Sequence, residues 1–151
     1  MKFVHGWAID YDQSTIDTYR ENIKGASVES VIRKDVRDPD LIQTIRQISD
    51  IDVFAYGFPC NDFSLVGEHK GIDGEFGPLY AYGLDVLNQF QPKAFIAENV
   101  TGIGSAQSGS TFQKILEDLT NCGYDLTVHK FRFEDYGVPQ ARHRIIIVGM
   151  R

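Results

Sequence analysis

The segment Gly57-Phe58-Pro59-Cys60-Asn61-Asp62-Phe63-Ser64 is the most informative part of the chain, because it places a cysteine directly after a buried strand. Residues 53–56, Val-Phe-Ala-Tyr, are a short apolar run that leads into a proline-containing turn, which predicts such a strand. In an open α/β sheet, ligands bind outside the carboxyl ends of the strands. Cys60 is therefore a candidate nucleophile at the ligand-binding edge of a sheet.

Strands and helices alternate on both sides of this segment, without internal repeats or low-complexity tracts. Asp12 is the predicted N-cap of a first helix that buries Ile16 and Tyr19 and ends near Asn22, and Gly123 is a predicted capping residue after the last helix. The other predicted helices cover residues 39–48, 78–89 and 112–122, and the predicted strands cover residues 3–9, 31–34, 52–56, 94–97, 125–133 and 144–148. This alternation predicts an α/β fold with a mostly parallel sheet and helices on both faces.

Length and composition exclude several classes of protein. With 151 residues, of which 42% are hydrophobic, the chain is long enough for one domain with a sizeable core. No apolar run is long enough to span a bilayer and the first residues lack the layout of a signal peptide, so we expect no membrane association. Two cysteines, Cys60 and Cys122, form no disulfide framework, which favours the cytoplasm, and Cys122 is expected to be a small buried side chain.

The charge distribution is uneven. The net charge of −6 argues mildly against nucleic acid as a partner. Residues 130–151, however, contain five basic side chains against Glu134 and Asp135. This locally basic stretch is compatible with an edge that faces DNA. The four histidines have no metal-ligand spacing with cysteines or carboxylates, so no metal site is predicted.

Two further motifs follow the cysteine at the ends of apolar runs, Ala97-Glu98-Asn99-Val100 and Val138-Pro139-Gln140-Ala141-Arg142-His143-Arg144. Together with Pro59-Cys60, they resemble the Pro-Cys, Glu-Asn-Val and Gln-x-Arg-x-Arg motifs of the cytosine-C5 DNA methyltransferases. One such match is weak, but three in the family's order at matching strand ends are specific. The resemblance implies a Rossmann-like, S-adenosylmethionine-dependent methyltransferase core.

The resemblance also implies catalytic roles. The Cys60 thiolate would add to C6 of a cytosine flipped out of double-stranded DNA, in a covalent mechanism that Arg142 and Arg144 support with positive charge. Glu98 would hold N3 and the exocyclic amine of the base, a role that requires a buried carboxyl group. No base for the C5 proton is assigned. Further substrate contacts are implied for six residues: Phe58, Asn61, Ser64, Asn99, Val100 and Gln140.

For S-adenosylmethionine, the resemblance implies six cofactor-binding residues. Asp10 would accept hydrogen bonds from the ribose, Tyr11 would lie against the adenine, and Asp35 would accept from the adenine amine. The remaining three, Val36, Pro59 and Leu79, would line the same pocket. The alternative is purely structural, with Asp10 and Asp12 capping a helix and Asp35 beginning a turn.

Part of the family pattern is absent. No Phe-x-Gly-x-Gly loop precedes Asp10, and no recognition domain follows Arg151. We therefore expect residues 1–151 to be a partial catalytic domain that lacks the family's first strand. It would be a fragment or split subunit of a bacterial or phage restriction-modification enzyme, working near the nucleoid. A second polypeptide would supply the missing strand or recognition domain, and the chain alone would bind S-adenosylmethionine weakly or not at all.

Other functions are compatible with part of the same residues. Within the family, methylation of cytosine in tRNA is the close alternative. From another class, the chain is interpretable as a non-catalytic remnant or a regulatory subunit that binds a partner through an exposed sheet edge. In the structural interpretation of the motifs, Glu98 is a solvated or capping residue and Arg142 and Arg144 form a solvated strand edge. A thiol hydrolase is disfavoured, because no recognisable Cys-His pairing is present.

Overall fold

A computed structural model describes residues 2–58, 79–101 and 109–151. The chain forms two compact units, Met1–Ile51 and Asp52–Arg151. No helix within the described ranges is both long and apolar enough to cross a lipid bilayer. Each unit contains its own sheet, with helices in the connections between strands.

The first unit is a βαβα arrangement with a two-stranded parallel sheet. Its elements are β1 (Ala8–Asp10), α1 (Gln13–Asn22), β2 (Val31–Arg33) and α2 (Leu41–Arg46). Helix α1 begins where predicted, because the Asp12 side chain accepts a hydrogen bond from the Thr15 backbone N–H over 2.9 Å. Ile16 is buried as predicted, together with Val31, Leu41 and Ile45, whereas Tyr19 is only half-buried.

The predicted first strand, residues 3–9, is largely wrong. Strand β1 begins at Ala8, and Phe3 remains 75% exposed. The physical reason is that its partner strand β2 has only three residues, so the register from Ala8–Val31 to Asp10–Arg33 uses the whole of it. Apolar residues upstream have no strand to pair with inside this sheet. Helix α2 is also shorter than predicted, beginning at Leu41 rather than Pro39.

The second unit contains a four-stranded sheet in the order β3-β4-β6-β5. Its elements are β3 (Val53–Gly57), α3 (Leu79–Phe90), β4 (Ala94–Val100), α4 (Gly109–Asn121), β5 (Asp125–Arg132), a short 3₁₀ helix (Phe133–Tyr136) and β6 (His143–Met150). Strands β3 and β4 are parallel, and β6 runs antiparallel to both of its neighbours. The α/β class predicted from the sequence is confirmed.

The two faces of this sheet differ in burial. One face carries the side chains of Phe95, Ala97 and Ile147, which are almost fully buried, as are Leu87 of α3 and Leu119 of α4. The opposite face carries alternate residues of the same strands, including Ile96, which is 41% exposed. Side chains that leave β4 at successive positions therefore enter different environments, one packed against helices and one accessible.

Two glycines allow the close packing of the buried face. A β-carbon at Gly83 of α3 would overlap the ring of Tyr56, and one at Gly149 of β6 would overlap the ring of Phe95. Any side chain at either position would displace an aromatic ring. The absence of a β-carbon therefore sets how closely α3 and β6 approach their neighbours.

Strands β4 and β6 are longer than predicted. Strand β4 was predicted to end at Ala97, but it continues to Val100 because β6 pairs with it as far as Val100–Arg144. The Glu-Asn-Val motif consequently lies inside the strand. At the end of α4, Gly123 has a left-handed φ of +91°, which confirms its predicted capping role.

Candidate active site

Glu98 of β4 and two arginines form the centre of the candidate site. Nε of Arg144 donates to Oε1 of Glu98 over 2.7 Å, and the Arg142 guanidinium lies 3.5 Å from the same oxygen. The sheet register creates this cluster, because β6 places Arg144 opposite Val100, two residues from Glu98 on the same face. A charge-assisted bond of this length is short and strong, so the guanidinium and carboxylate orient one another.

The second carboxylate oxygen of Glu98 lies toward Gly57, at the carboxyl end of β3. A β-carbon at Gly57 would be 3.5 Å from Oε2, which is ordinary van der Waals contact. Gly57 is therefore a direct neighbour of Glu98, which sequence reasoning missed. Its signal in the sequence is a glycine at a strand end immediately before Phe58, Pro59 and Cys60.

The expected burial of Glu98 is wrong in the described structure, since its side chain is 38% exposed. The cause is its position on the accessible face of the sheet, next to a residue without a side chain. Glu98 is instead held by the two arginines. Both arginines contact the Glu98 carboxylate, and their predicted support of the Cys60 thiolate stays a prediction.

Asn99 lies on the opposite face of β4 and connects the ends of two strands. Its side chain is almost completely buried, with 3% exposure for the residue. Its Nδ2 donates to the Phe58 carbonyl over 3.2 Å, and its Oδ1 accepts from the Val100 backbone N–H over 2.7 Å. Asn99 therefore fixes the main chain of Phe58, two positions before Cys60 in the sequence. A contact of Asn99 with substrate stays a prediction.

The ring of Phe58 is buried in an aromatic cluster beneath the end of β3. Its centroid lies 5.8 Å from that of Tyr56 and 6.2 Å from that of Tyr80. The Tyr80 hydroxyl donates to Asp118 of α4 over 2.8 Å, and burial together with this bond raises the pKa of Tyr80 to about 12. These contacts connect Phe58, the residue before Pro59 and Cys60 in the sequence, to α3 and α4.

Several predicted site residues have not been placed at this centre. Pro59, Cys60, Asn61 and Ser64 lie outside the described residues. Gln140 is exposed in the loop before β6, where its backbone N–H donates to the Val138 carbonyl over 2.8 Å. Their predicted roles stay predictions.

The loop between β5 and β6 contains a charged cluster that sequence reasoning missed. The His143 ring and Oε1 of Glu134 are 2.6 Å apart, and Arg132 donates to the same oxygen over 3.3 Å. Its own backbone N–H and the His143 ring hold the pKa of Glu134 at about 2. Nine residues separate Glu134 from His143, so only the geometry of the turn could reveal the pair.

In the first unit, two predicted cofactor residues share a pocket. Tyr11 and Asp35 line an open pocket of about 410 Å³ together with Arg33, Lys34 and Asp38. The Tyr11 ring is 73% exposed. An exposed aromatic ring beside a carboxylate suits a flat, polar ligand such as a purine.

The acidic side chains of this region also make local contacts. Asp10 Oδ1 accepts from the Asp12 backbone N–H over 2.9 Å. Asp35 accepts from the backbone and the guanidinium of Arg37, and the Arg37 side-chain and backbone hydrogen bonds lower the pKa of Asp35 to about 2. The structural alternative is thus observed for Asp12, which caps α1, and for Asp35, which begins a turn. Val36 is partly exposed beside Asp35, and Leu79 begins α3 in the second unit.

Comparison with known proteins identifies the family. The sequence matches the family described as C-5 cytosine-specific DNA methylase over residues 1–151. The chain belongs to this family. The resemblance inferred from the Pro-Cys, Glu-Asn-Val and Gln-x-Arg-x-Arg motifs is confirmed.

Two curated relatives of this family are Type II methyltransferases. The chain is 50% identical to M.BbvI of Brevibacillus brevis over 153 residues, covering 99% of the chain and 41% of the relative. It is 38% identical to M.NgoFVII of Neisseria gonorrhoeae over 146 residues, covering 96% of the chain and 37% of the relative. The chain thus spans about two fifths of the length of these relatives.

Solved structures agree with the fold. The crystal structure of the S. pombe Dnmt2 methyltransferase matches this chain with a TM-score of 0.68. The match covers 96% of this chain and 42% of that one at 20% sequence identity. At this identity the likeness establishes the Rossmann-like α/β fold alone.

Proposed function

We propose that this chain carries the catalytic centre of a DNA cytosine-5 methyltransferase. The observation that carries the proposal is the Glu98 carboxylate held at 2.7 Å by Arg144, with Arg142 at 3.5 Å, on the accessible face of the sheet. A carboxylate oriented in this way offers a hydrogen-bonding edge to a planar base. The family membership and the relatives named as Type II methyltransferases support DNA as the substrate.

The chemistry assigned to the chain is covalent. The Cys60 sulfur forms a bond to C6 of a cytosine extruded from double-stranded DNA, which makes C5 nucleophilic. As this bond forms, the protonated Oε2 of Glu98 gives its proton to N3 of the cytosine, while Oε1 stays with the arginines; the exocyclic amine donates to the same carboxyl group. After C5 has gained its methyl group, N3 returns its proton to Glu98, the C5 proton passes to solvent, and the Cys60–C6 bond breaks as the thiolate leaves. Splitting the reaction in this way replaces one difficult step by easier ones.

Supporting residues of the second unit hold this centre in place. Asn99 fixes the Phe58 carbonyl, and the Phe58 ring packs beside Tyr80, so the chain is held in place at the residue before Pro59 and Cys60. A reacting group held near its attack position lowers the entropic part of the barrier. We assign this positioning role to Asn99, Phe58 and Tyr80.

The residues of the first unit fit S-adenosylmethionine. The exposed Tyr11 ring and the Asp35 carboxylate line one pocket, which suits an adenine ring with its amine. Asp10, at the carboxyl end of β1, suits the ribose hydroxyls by the logic of acidic residues in Rossmann-type sites. When bound, the cofactor supplies an electrophilic methyl group. Val36 follows Asp35 and belongs to the same proposed set, while cofactor contacts of Pro59 and Leu79 are proposed from the family resemblance alone.

A covalent trapping experiment tests the proposal. Residues 1–151 replace the matching segment of the Brevibacillus brevis relative, and the chimera is incubated with S-adenosylmethionine and double-stranded DNA containing 5-fluorocytosine. We expect a covalent protein–DNA adduct, because fluorine at C5 blocks the loss that would release the Cys60 sulfur. Denaturing electrophoresis and peptide mass spectrometry locate the bond.

Cys60→Ser should form no adduct and should not methylate unmodified DNA, while Cys122→Ser, the matched control, should do both. A folded Cys60→Ser chimera that still methylates cytosine would overturn the assignment of the nucleophile. An adduct formed on a different residue would overturn it equally.

A further inference from the structure

The pair formed by Glu134 and His143 lies behind the Glu98 cluster, at the first residue of β6. Because successive side chains of a strand point to opposite faces, the His143 ring leaves β6 on the face opposite Arg144. Its Nε2 lies 2.6 Å from Oε1 of Glu134. An ionised carboxylate can accept a short hydrogen bond of this length from the ring N–H. Glu134 belongs to the 3₁₀ helix that closes the β5–β6 connection.

Arg142, which precedes β6, and the first two residues of the strand, His143 and Arg144, each make a different contact. The Arg142 carbonyl accepts from the Phe133 backbone N–H over 3.0 Å. The His143 ring is bound to Glu134, and the His143 carbonyl accepts from the Arg144 guanidinium over 2.8 Å. The same guanidinium donates to Glu98. His143 is thus connected to Glu134 through its ring on one face of the strand. Through its carbonyl and the Arg144 guanidinium it is connected to Glu98 on the other face.

We propose that Glu134 is a positioning residue, which orients Arg144 toward Glu98 by anchoring His143. A guanidinium donates in fixed directions, so a small rotation of the main chain at His143 would move Arg144 Nε away from the carboxylate. The catalytic meaning of this role rests on the proposed function, but the contact itself does not. Glu134 acts through His143 and has no place among the groups assigned to the substrate.

Hydrogen exchange at the Arg144 side chain tests the proposal without an activity assay. In ¹⁵N-labelled protein, the Arg144 Nε–H gives a resolved side-chain signal, identified by its loss in Arg144→Lys. We expect slow exchange of this proton in the wild-type chain, because it is bonded to Glu98. Glu134→Ala should accelerate its exchange roughly tenfold, since a hydrogen bond of ordinary strength is weakened.

Asp135→Ala is the matched control, because it removes a neighbouring carboxylate of the same short helix that lies 3.8 Å from Arg132. It should leave Arg144 exchange unchanged. His143→Ala should accelerate exchange as much as Glu134→Ala, and the double variant should be no faster than either single one. Glu134→Gln, which keeps an acceptor for His143, should restore most of the protection.

Unchanged Arg144 exchange in Glu134→Ala, or additive effects of the two substitutions, would overturn the proposal. If Glu134→Ala loses its native backbone spectrum, His143→Ala is compared with Asp135→Ala instead. Arg144 exchange that is no faster in His143→Ala than in Asp135→Ala would then overturn the proposal. If the trapping experiment fails but Glu134→Ala and His143→Ala accelerate Arg144 exchange as expected, the proposed function is overturned and the positioning role of Glu134 stands. Each result therefore points to one of the two hypotheses.

Discussion

The candidate catalytic and cofactor regions differ in the sequence distance of the contacts that hold them. In the second unit, Arg144 reaches Glu98 across 46 residues and Asn99 reaches Phe58 across 41. In the first unit, the recorded side-chain contacts of Asp10 and Asp35 are to residues two positions away. The catalytic geometry therefore depends on the register of the whole sheet, whereas the cofactor residues are held by local turns. Substitutions should damage the two regions in different ways.

The largest expected effect is on the chemical step. Glu98→Gln should lower the single-turnover rate of the chimera at least about a hundredfold, because an amide cannot supply the N3 proton. The neutral amide also weakens the hold on Arg144. Quench-flow measurement of methyl transfer checks this prediction, with Glu117→Gln on the exposed face of α4 as the matched control.

A normal rate in Glu98→Gln would mean that the cluster with Arg142 and Arg144 is only structural. A slow rate in Glu117→Gln would mean that the chimera responds to any loss of charge. Either result would contradict the claim that the long-range contacts of Glu98 determine the rate of the chemical step.

The next effect is on stability and concerns the buried end of the same strand. Asn99→Ala should lower the free energy of unfolding by about 1–3 kcal/mol, because the buried Phe58 carbonyl loses its donor. Asn121→Ala, an exposed position at the end of α4, should change it by less than about 0.5 kcal/mol. Urea denaturation followed by circular dichroism gives both values. Equal values for the two variants would contradict a supporting role for Asn99.

These contacts also explain which parts of the structure were predictable from the sequence. The Asp12 cap and the Gly123 terminus were predicted correctly, because their chemistry acts within three residues. The alternation of strands and helices gave the α/β class for the same reason, since hydrophobic periodicity is a local property. The family motifs further identified Glu98, Arg142 and Arg144 as one site, and their contacts bring these three together.

The remaining features require tertiary structure. Strand β4 continues to Val100 because β6 pairs with it, and no local pattern records the partner. The position of Gly57 beside Glu98 follows from the β3–β4 register, and the bond between Glu134 and His143 follows from the closure of a turn. At residues 3–7 the error has the same origin, because an apolar run forms a strand only where another strand is long enough to accept it.

A smaller effect is expected in the first unit. Asp35→Ala should weaken S-adenosylmethionine binding by the chimera roughly tenfold, the cost of one hydrogen bond. It should change the free energy of unfolding by less than about 0.5 kcal/mol, because the Arg37 pair is partly exposed. Calorimetry and urea denaturation separate the two quantities, and Asp50→Ala is an exposed control in the same unit.

A lower free energy of unfolding with unchanged S-adenosylmethionine affinity in Asp35→Ala would contradict this prediction. The turn would then be the role of Asp35, and the pocket beside Tyr11 would bind the cofactor through other groups.

The smallest effect is a pH dependence that both regions share. In the folded chain the pKa of Glu134 lies at about 2, below its ordinary value of 4.5, and that of Asp35 lies at about 2, below 3.8. A depressed pKa means that the folded state prefers the ionised carboxylate, so the stabilisation is complete above pH 4.5 and declines as the pH falls toward 2. Glu134→Gln and Asp35→Asn should each flatten the decline of the thermal midpoint between these limits, without changing its slope above pH 5. If the contacts are of different kinds as argued, Glu134→Ala should also accelerate exchange of the Arg144 Nε–H, while Asp35→Asn should leave that proton protected. Calorimetric scans at half-unit pH steps, paired with the exchange spectra, measure both responses, and an Asp35→Asn variant that exposes Arg144 would contradict the distinction between long-range and local contacts.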